Sequence, residues 1–222
     1  MSTLKDAASL IVIKKIKSNL YILMGKRPPK QVFMPDIFVF PGGRVEKSDG
    51  YMESFSELTN GVSNILTRHC TPHRARAIAL ASIRETYEET GLMIGKTHEE
   101  FKSISSKHWK DFQNKKVKPR LDVLSLIARA ITPKGQARRY NARFFAVDAI
   151  HSHGKITKND ELLEIDWYPI EYIKNNLPLA QVTELVLNQI EIIFKNYNNI
   201  NFINEIPIYS RRKGKRVIRF EK

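Results

Sequence analysis

The chain holds one cysteine, Cys70, in 222 residues, so it can form no internal disulfide. His69, Cys70 and His73, like His151-Ser152-His153, lack the paired spacing of a structural zinc module. No apolar run approaches the roughly 20 residues of a membrane-spanning helix. The longest, at 7–13, is strand-sized. The opening Met1-Ser2-Thr3-Leu4-Lys5-Asp6 is not a basic region followed by a long apolar one, so no secretory leader is predicted. These absences predict a soluble protein of a reducing cytosol. Acid is the scarcer charge: 23 Asp and Glu against 37 Lys and Arg leave a net charge of +14 and a pI near 9.8. Such a balance attracts polyanions, whether phosphorylated metabolites, nucleic acid or acidic membranes, without choosing among them.

What is present suffices for a packed core. Apolar residues make up 42% and charged residues 27%, close to soluble globular averages, and the length suits one domain with embellishments. Short strands are predicted at 8–13, 20–24 and 37–40, the last broken by Pro41-Gly42-Gly43, a loop suited to close approach of a ligand. Residues 50–74 form an insertion with a weak helical period through Met52, Phe55, Leu58 and Val62. A strong helix is predicted over 75–90 with Gly91 as its left-handed cap. Then come a helix at 98–113, strands at 123–131 (ended by Thr132-Pro133-Lys134-Gly135), 142–148 and 163–168, and an amphipathic helix at 180–197. That last helix carries Val182, Val186, Ile190, Ile193 and Tyr197 on one stripe. A basic hairpin is predicted around Lys213-Gly214.

The chemistry concentrates on the helix at 75–90. At about 100° per residue, Glu85, Glu88 and Glu89 share one stripe, while Ala79, Leu80, Ile83 and Tyr87 lie on the far side. Arg84 is placed to brace Glu88. Taken alone, such a run reads as a solvated face; like charges at these spacings repel, and a divalent cation would reverse that cost.

The segment Arg84-Glu85-Thr86-Tyr87-Glu88-Glu89-Thr90-Gly91-Leu92 fits REUxEExGU, with U aliphatic, except at Thr86. It resembles the box of the Nudix hydrolases, G-x5-E-x7-REUxEExGU. The box's opening resembles Phe40-Pro41-Gly42-Gly43-Arg44-Val45-Glu46, and six residues on from Gly43 stands Asp49, where the family has Glu. Arg84 lies 41 residues after Gly43 against 14 in the uninterrupted box, so 27 residues are inserted. An insertion there is similar to that of the acyl-CoA diphosphatase subgroup. Phe33-Met34-Pro35-Asp36, Ala128-Arg129-Ala130-Ile131-Thr132-Pro133 and Arg138-Arg139-Tyr140-Asn141-Ala142-Arg143-Phe144-Phe145 resemble that subgroup too, and Glu161-Leu162-Leu163-Glu164-Ile165-Asp166-Trp167 resembles the family's late acidic strand.

The resemblance implies an α/β/α sandwich with a mixed curved β-sheet over 7–197, interrupted by 50–74, with 198–222 as a basic C-terminal extension. It implies that Glu85, Glu88 and Glu89 ligate Mg²⁺ or Mn²⁺ near the Gly43 carbonyl and that Arg84 orients a carboxylate. Glu89 and Arg84 then belong to the catalytic group, completed by a general base for which Glu161 is the first candidate and Glu164 the second. A solvated turn at Asp160-Glu161 is the plain alternative. Arg27, Arg138, Arg139 and Arg143 are candidates to grip phosphate, against an ordinary surface role; Arg143, alternating with Phe144, could instead sit at a strand edge. The implied reaction is cleavage of a nucleoside diphosphate linked to another moiety, with CoA or acyl-CoA favoured. NADH and ADP-ribose stay open, as does a homodimer. The other reading is an RNA-binding or regulatory protein on the same fold, drawing on the charge and on Arg211-Arg212-Lys213-Gly214-Lys215-Arg216. That tail lacks the interleaved aromatics of a single-strand platform.

Overall fold

Leu10-Ile11-Val12-Ile13 is apolar without alternation, the pattern of a strand buried on both faces. The computed structural model describes residues 2–31, 34–101, 106–157, 160–197, 200, 205–212 and 214–221. It places the run inside β1 (Leu4–Ile16), followed by β2 (Asn19–Lys26), β3 (Phe38–Val39) and β4 (Gly42–Arg44). A 3-10 turn at Lys47–Tyr51 and α1 (Asn60–Thr67) precede the long α2 (Pro72–Thr90). Next come β5 (Met93–Thr97), α3 (Lys110–Asn114), β6 (Val117–Pro119), β7 (Ser125–Ile131), β8 (Arg139–Asp148) and β9 (Ser152–His153). The chain continues through β10 (Leu163–Pro169), α4 (Ile170–Asn176), α5 (Gln181–Tyr197), β11 (Ile206–Arg212) and β12 (Lys215–Glu221).

The main sheet runs β10-β2-β1-β8-β7-β11-β12, with β3 on β2 and β4 on β1. It is mixed: β1 pairs with β8, and β7 with β11, in parallel, and the other pairs are antiparallel. Alternation along the central strands sorts their side chains into two cores. Leu10, Val12, Phe145 and Val147 pack with Ile78, Leu80 and Ile83 of α2. Ile11, Ile13, Phe144 and Ala146 pack with Val186, Leu187, Ile190 and Ile193 of α5. The sheet is thus sandwiched between helices, the expected α/β/α architecture. Among the described residues no helix is long and apolar enough to cross a membrane.

Some elements differ from expectation. The glycine pair is not only a loop: Gly42 and Gly43 pair with Ser9 and Ala8 as strand β4. No helix covers 52–58; the Phe55 amide donates to Pro119 and Ser56 bridges to Arg120, so that backbone is committed to 119–121. Helix 98–113 shrinks to a turn at Lys107–Trp109 plus α3, because the His98 amide donates to the Lys116 carbonyl and prolongs the β5–β6 ladder. Residues 102–105 of that expected helix, Phe33, Lys213 and the Tyr197 side chain lie outside the described residues. The basic hairpin forms as β11–β12 and joins the main sheet through β7.

Candidate active site

Helix α2 is fixed at both ends by local chemistry. Thr71 accepts from the Arg74 amide at its start, with Pro72 in the first turn, and Gly91 ends it at φ 80° with its amide on the Tyr87 carbonyl. Ala79, Leu80 and Ile83 are buried as the periodicity requires. Tyr87 is half-buried, its hydroxyl donating to Asp111 at 2.8 Å and accepting from Lys115 Nζ at 3.1 Å.

Arg84 is the hub of the opposite face. It is 1% exposed and donates to five acceptors: Asp49 Oδ1 (2.7 Å) and Oδ2 (3.1 Å), Glu85 Oε1 (2.9 Å), Glu88 Oε2 (2.7 Å) and the Arg44 carbonyl (2.8 Å). Burial disfavours its charge, but the hydrogen bond to Asp49 and the fields of Glu85, Asp49 and Glu88 outweigh that and raise its pKa. Asp49, fully buried, also accepts from Trp109 Nε1 at 3.1 Å. Sequence reading had matched Asp49 to a motif position without seeing it as the partner of Arg84.

The glycine strand meets the carboxylates at backbone level. A Cβ on Gly43 would overlap the Glu85 carboxyl, so only glycine lets that side chain lie there. The Gly42 amide donates to Glu89 Oε2 at 2.8 Å. Burial pushes Glu85 up to about 7, against the attraction of Arg84 and with the repulsion of Glu88 and Glu161. Burial likewise raises Glu89, with the Gly42 hydrogen bond opposing. Glu88 also faces His108, whose Nδ1 lies 3.0 Å from Oε1. His108 and Trp109 were missed: neither has a periodic signal, and both meet the helix only through the turn before α3.

Arg27 and Glu161 lie near these carboxylates. Arg27 lowers and Glu161 raises the pKa of Glu89 through space, and Gln31 links them, bonded to Arg27 Nη1 (2.6 Å) and the Glu161 carbonyl (3.3 Å). Glu164 points elsewhere and pairs with Lys26 at 3.3 Å. Arg143 corrects the expectation of a phosphate grip. It is 2% exposed beneath the start of α2, bonded to Asp6 and the Asn141 carbonyl, with Arg74 on the same Asp6 at 2.8 Å. Alternation turned it inward, where Asp6 neutralises it. Arg138 and Arg139 line a separate cleft with Lys5 and Arg44.

An all-oxygen donor set suits a hard divalent cation. Among the described residues no group of three or more carboxylate, imidazole or thiolate side chains is arranged to hold a metal ion. Glu85 and Glu88 turn to Arg84, and Glu89 to the Gly42 amide. These three carboxylates are the oxygen donors of α2 that a hard cation could draw on, with waters completing its shell.

No protein-family model matches the chain, and no curated protein matches it. Solved structures do. A NUDIX hydrolase from Alicyclobacillus acidocaldarius is 23% identical over 88% of this chain and 97% of its own, at a TM-score of 0.69. The MutT protein from Bacillus halodurans is 12% identical over 98% of both chains, at 0.51. The NUDIX domain of Shewanella oneidensis NrtR, solved with ADP ribose, is 10% identical over 86% of this chain and 89% of its own, at 0.50. With α2 and the glycine strand placed as described, this chain has the fold of the Nudix hydrolases.

Proposed function

We propose that the protein is a metal-dependent hydrolase that cleaves the diphosphate bond of a nucleoside diphosphate joined to a second moiety. A fold hosts many functions, so the reading rests on the site. The observation that carries it is the buried Arg84, holding Glu85 and Glu88 beside a glycine strand whose Gly42 amide holds Glu89.

Glu85, Glu88 and Glu89 would hold Mg²⁺ or Mn²⁺, which when bound neutralises the diphosphate and lowers the pKa of a coordinated water. The chain's own residues then orient and move a proton. Arg84 fixes the helix carboxylates, Gly43 leaves room for the Glu85 carboxyl, and Arg27 grips diphosphate oxygens. Glu161 accepts the proton of the attacking water as its oxygen bonds to phosphorus and the bridging P–O bond breaks, the electron pair leaving on the departing phosphate. CoA or acyl-CoA is the favoured substrate through the subgroup resemblance, giving 3′,5′-ADP and a phosphopantetheine derivative. The ADP ribose in the Shewanella complex belongs to the same diphosphate class.

The test is turnover by purified protein with Mg²⁺ or Mn²⁺ on CoA, acyl-CoAs, NADH, ADP-ribose, dinucleoside polyphosphates and capped RNA, with products identified by mass. Release of 3′,5′-ADP from CoA compounds is expected from wild type and not from Glu88→Gln. No turnover at any metal concentration overturns the proposal. Salt-dependent RNA affinity in its place would favour the binding-protein reading that the net charge of +14 suggests.

A further inference from the structure

Four cationic side chains from three segments converge on a cleft of about 470 Å³ that the carboxylate site does not use: Lys5 of β1, Arg44 of β4, and Arg138 and Arg139 at the start of β8. The volume falls in the range of small-molecule sites, roughly 300–1,000 Å³.

Strand alternation sets the direction of Lys5, Arg44 and Tyr140. Ala8 pairs with Gly43 and Ala7 with Arg44. Gly43 meets Glu85 on the α2 side, so Arg44 leaves by the opposite side, which Lys5 shares. Tyr140, the register partner of Lys5 on β8, lines the same cleft. Cleft and carboxylates therefore lie on opposite faces of one strand, joined through the Arg44 carbonyl that accepts from Arg84.

Little within the protein offsets this charge. Among the described residues Lys5 and Arg138 have no ion-pair partner, and Arg44 has only Glu46 at 3.9 Å, with both side chains substantially exposed. Arg139 donates Nε to the Thr132 (3.3 Å) and Pro133 (3.1 Å) carbonyls, which fixes its guanidinium plane. The turn is itself pinned: the Thr132 amide donates to the Tyr140 carbonyl at 2.9 Å, the Tyr140 amide donates to Thr132 Oγ1 at 3.0 Å, and Ser2 Oγ donates to the Gln136 carbonyl at 2.7 Å. Cations held together on a fixed frame repel unless an anion joins them, and guanidinium forks match phosphate oxygens.

We propose that this cleft binds a phosphate-bearing small molecule through Lys5, Arg44, Arg138 and Arg139, with the Tyr140 ring at its side. The site stands whether or not the carboxylate face is hydrolytic.

The test is calorimetric titration of the full chain in EDTA, which keeps divalent cations from the carboxylates, using inorganic phosphate, inorganic pyrophosphate and AMP as probes. Binding to wild type is expected, with the dissociation constant raised at least tenfold in the Lys5→Glu/Arg138→Glu double variant and independently in Arg44→Glu. Lys215→Glu/Arg216→Glu, an equal charge reversal on the far hairpin, is expected to leave it within twofold. AMP binding more tightly than inorganic phosphate assigns a nucleotide, and pyrophosphate binding alone assigns an inorganic anion; either supports the site. Absence of binding, equal weakening by the hairpin variant, or binding of a single-stranded RNA oligonucleotide with none of the small probes overturns it.

Discussion

Arg84 donates twice to Asp49, through Nε at 2.7 Å and Nη2 at 3.1 Å, in a pair that is 1% and 0% exposed and 35 residues apart in sequence. The pair closes the excursion between the glycine strand and the helix. The glycine strand and α2 are thereby held together across the 34 residues that separate Asp49 from Arg84.

Asp49→Asn removes the counter-charge that meets Arg84 through two hydrogen bonds and leaves Glu85 and Glu88 to offset the buried guanidinium. The variant is expected to lower unfolding stability by roughly 1–3 kcal/mol, read from urea denaturation. A loss below about 1 kcal/mol, the range of an exposed pair, would show that water screens it.

Gly43→Ala tests the contact between glycine strand and carboxylate. The obstructing atoms belong to the flexible end of Glu85, so the variant should fold with a melting temperature close to wild type. Displacement of Glu85 should weaken Mn²⁺ binding at least tenfold, or by about 1.4 kcal/mol. Unchanged Mn²⁺ affinity would remove Glu85 from the metal site.

Acidity gives a third test. The Glu85 carboxyl titrates at about 7 in the folded protein against 4.5 ordinarily, chiefly through burial. Between those values the unfolded chain has released a proton that the folded chain keeps, so metal-free stability falls as pH rises through the window. The loss is on the order of 1–3 kcal/mol. Glu89, raised by burial as well, acts in the same direction. In EDTA, Glu85→Gln should gain stability relative to wild type between pH 5 and pH 8. A difference independent of pH refutes the assignment.

Glu221 fastens the C-terminal hairpin, its carboxylate meeting His69 and lying 3.8 Å from Arg129 Nη1. Burial pulls the Arg129 pKa down, as does Arg143, while Glu221 pushes it back up. Glu221→Gln should cost about 1–3 kcal/mol, with amide exchange accelerating in β12 before β1. Equal acceleration in both strands would mean the hairpin is not an independent unit.

Helix α2 was legible over 75–90 because period, cap and carboxylate stripe agree there, though it begins at Pro72, inside the stretch read as an insertion, and β1 because an unbroken apolar run is what two-sided burial requires. Arg84 was legible as a brace and not as a buried hub. Its burial comes from Asp49 and Trp109, whose approach no local pattern encodes. Arg143 shows the same limit. Alternation places it on a face, but which face meets Asp6, 137 residues earlier in the chain, is decided by the parallel pairing of β1 with β8. The helix expected over 98–113 failed because a cross-strand bond from His98 to Lys116 competes with helical pairing at its first residue.

That parallel pairing also reaches into biosynthesis. Asp6 and Asn141, neighbours across β1 and β8, are 135 residues apart, which a ribosome needs roughly 7 to 27 seconds to span. Throughout that interval Leu10-Ile11-Val12-Ile13 has been made while the strand that covers one of its edges has not. The nascent chain therefore carries an apolar, β-prone segment with an uncovered edge, and an uncovered edge is a template for pairing with a neighbouring chain.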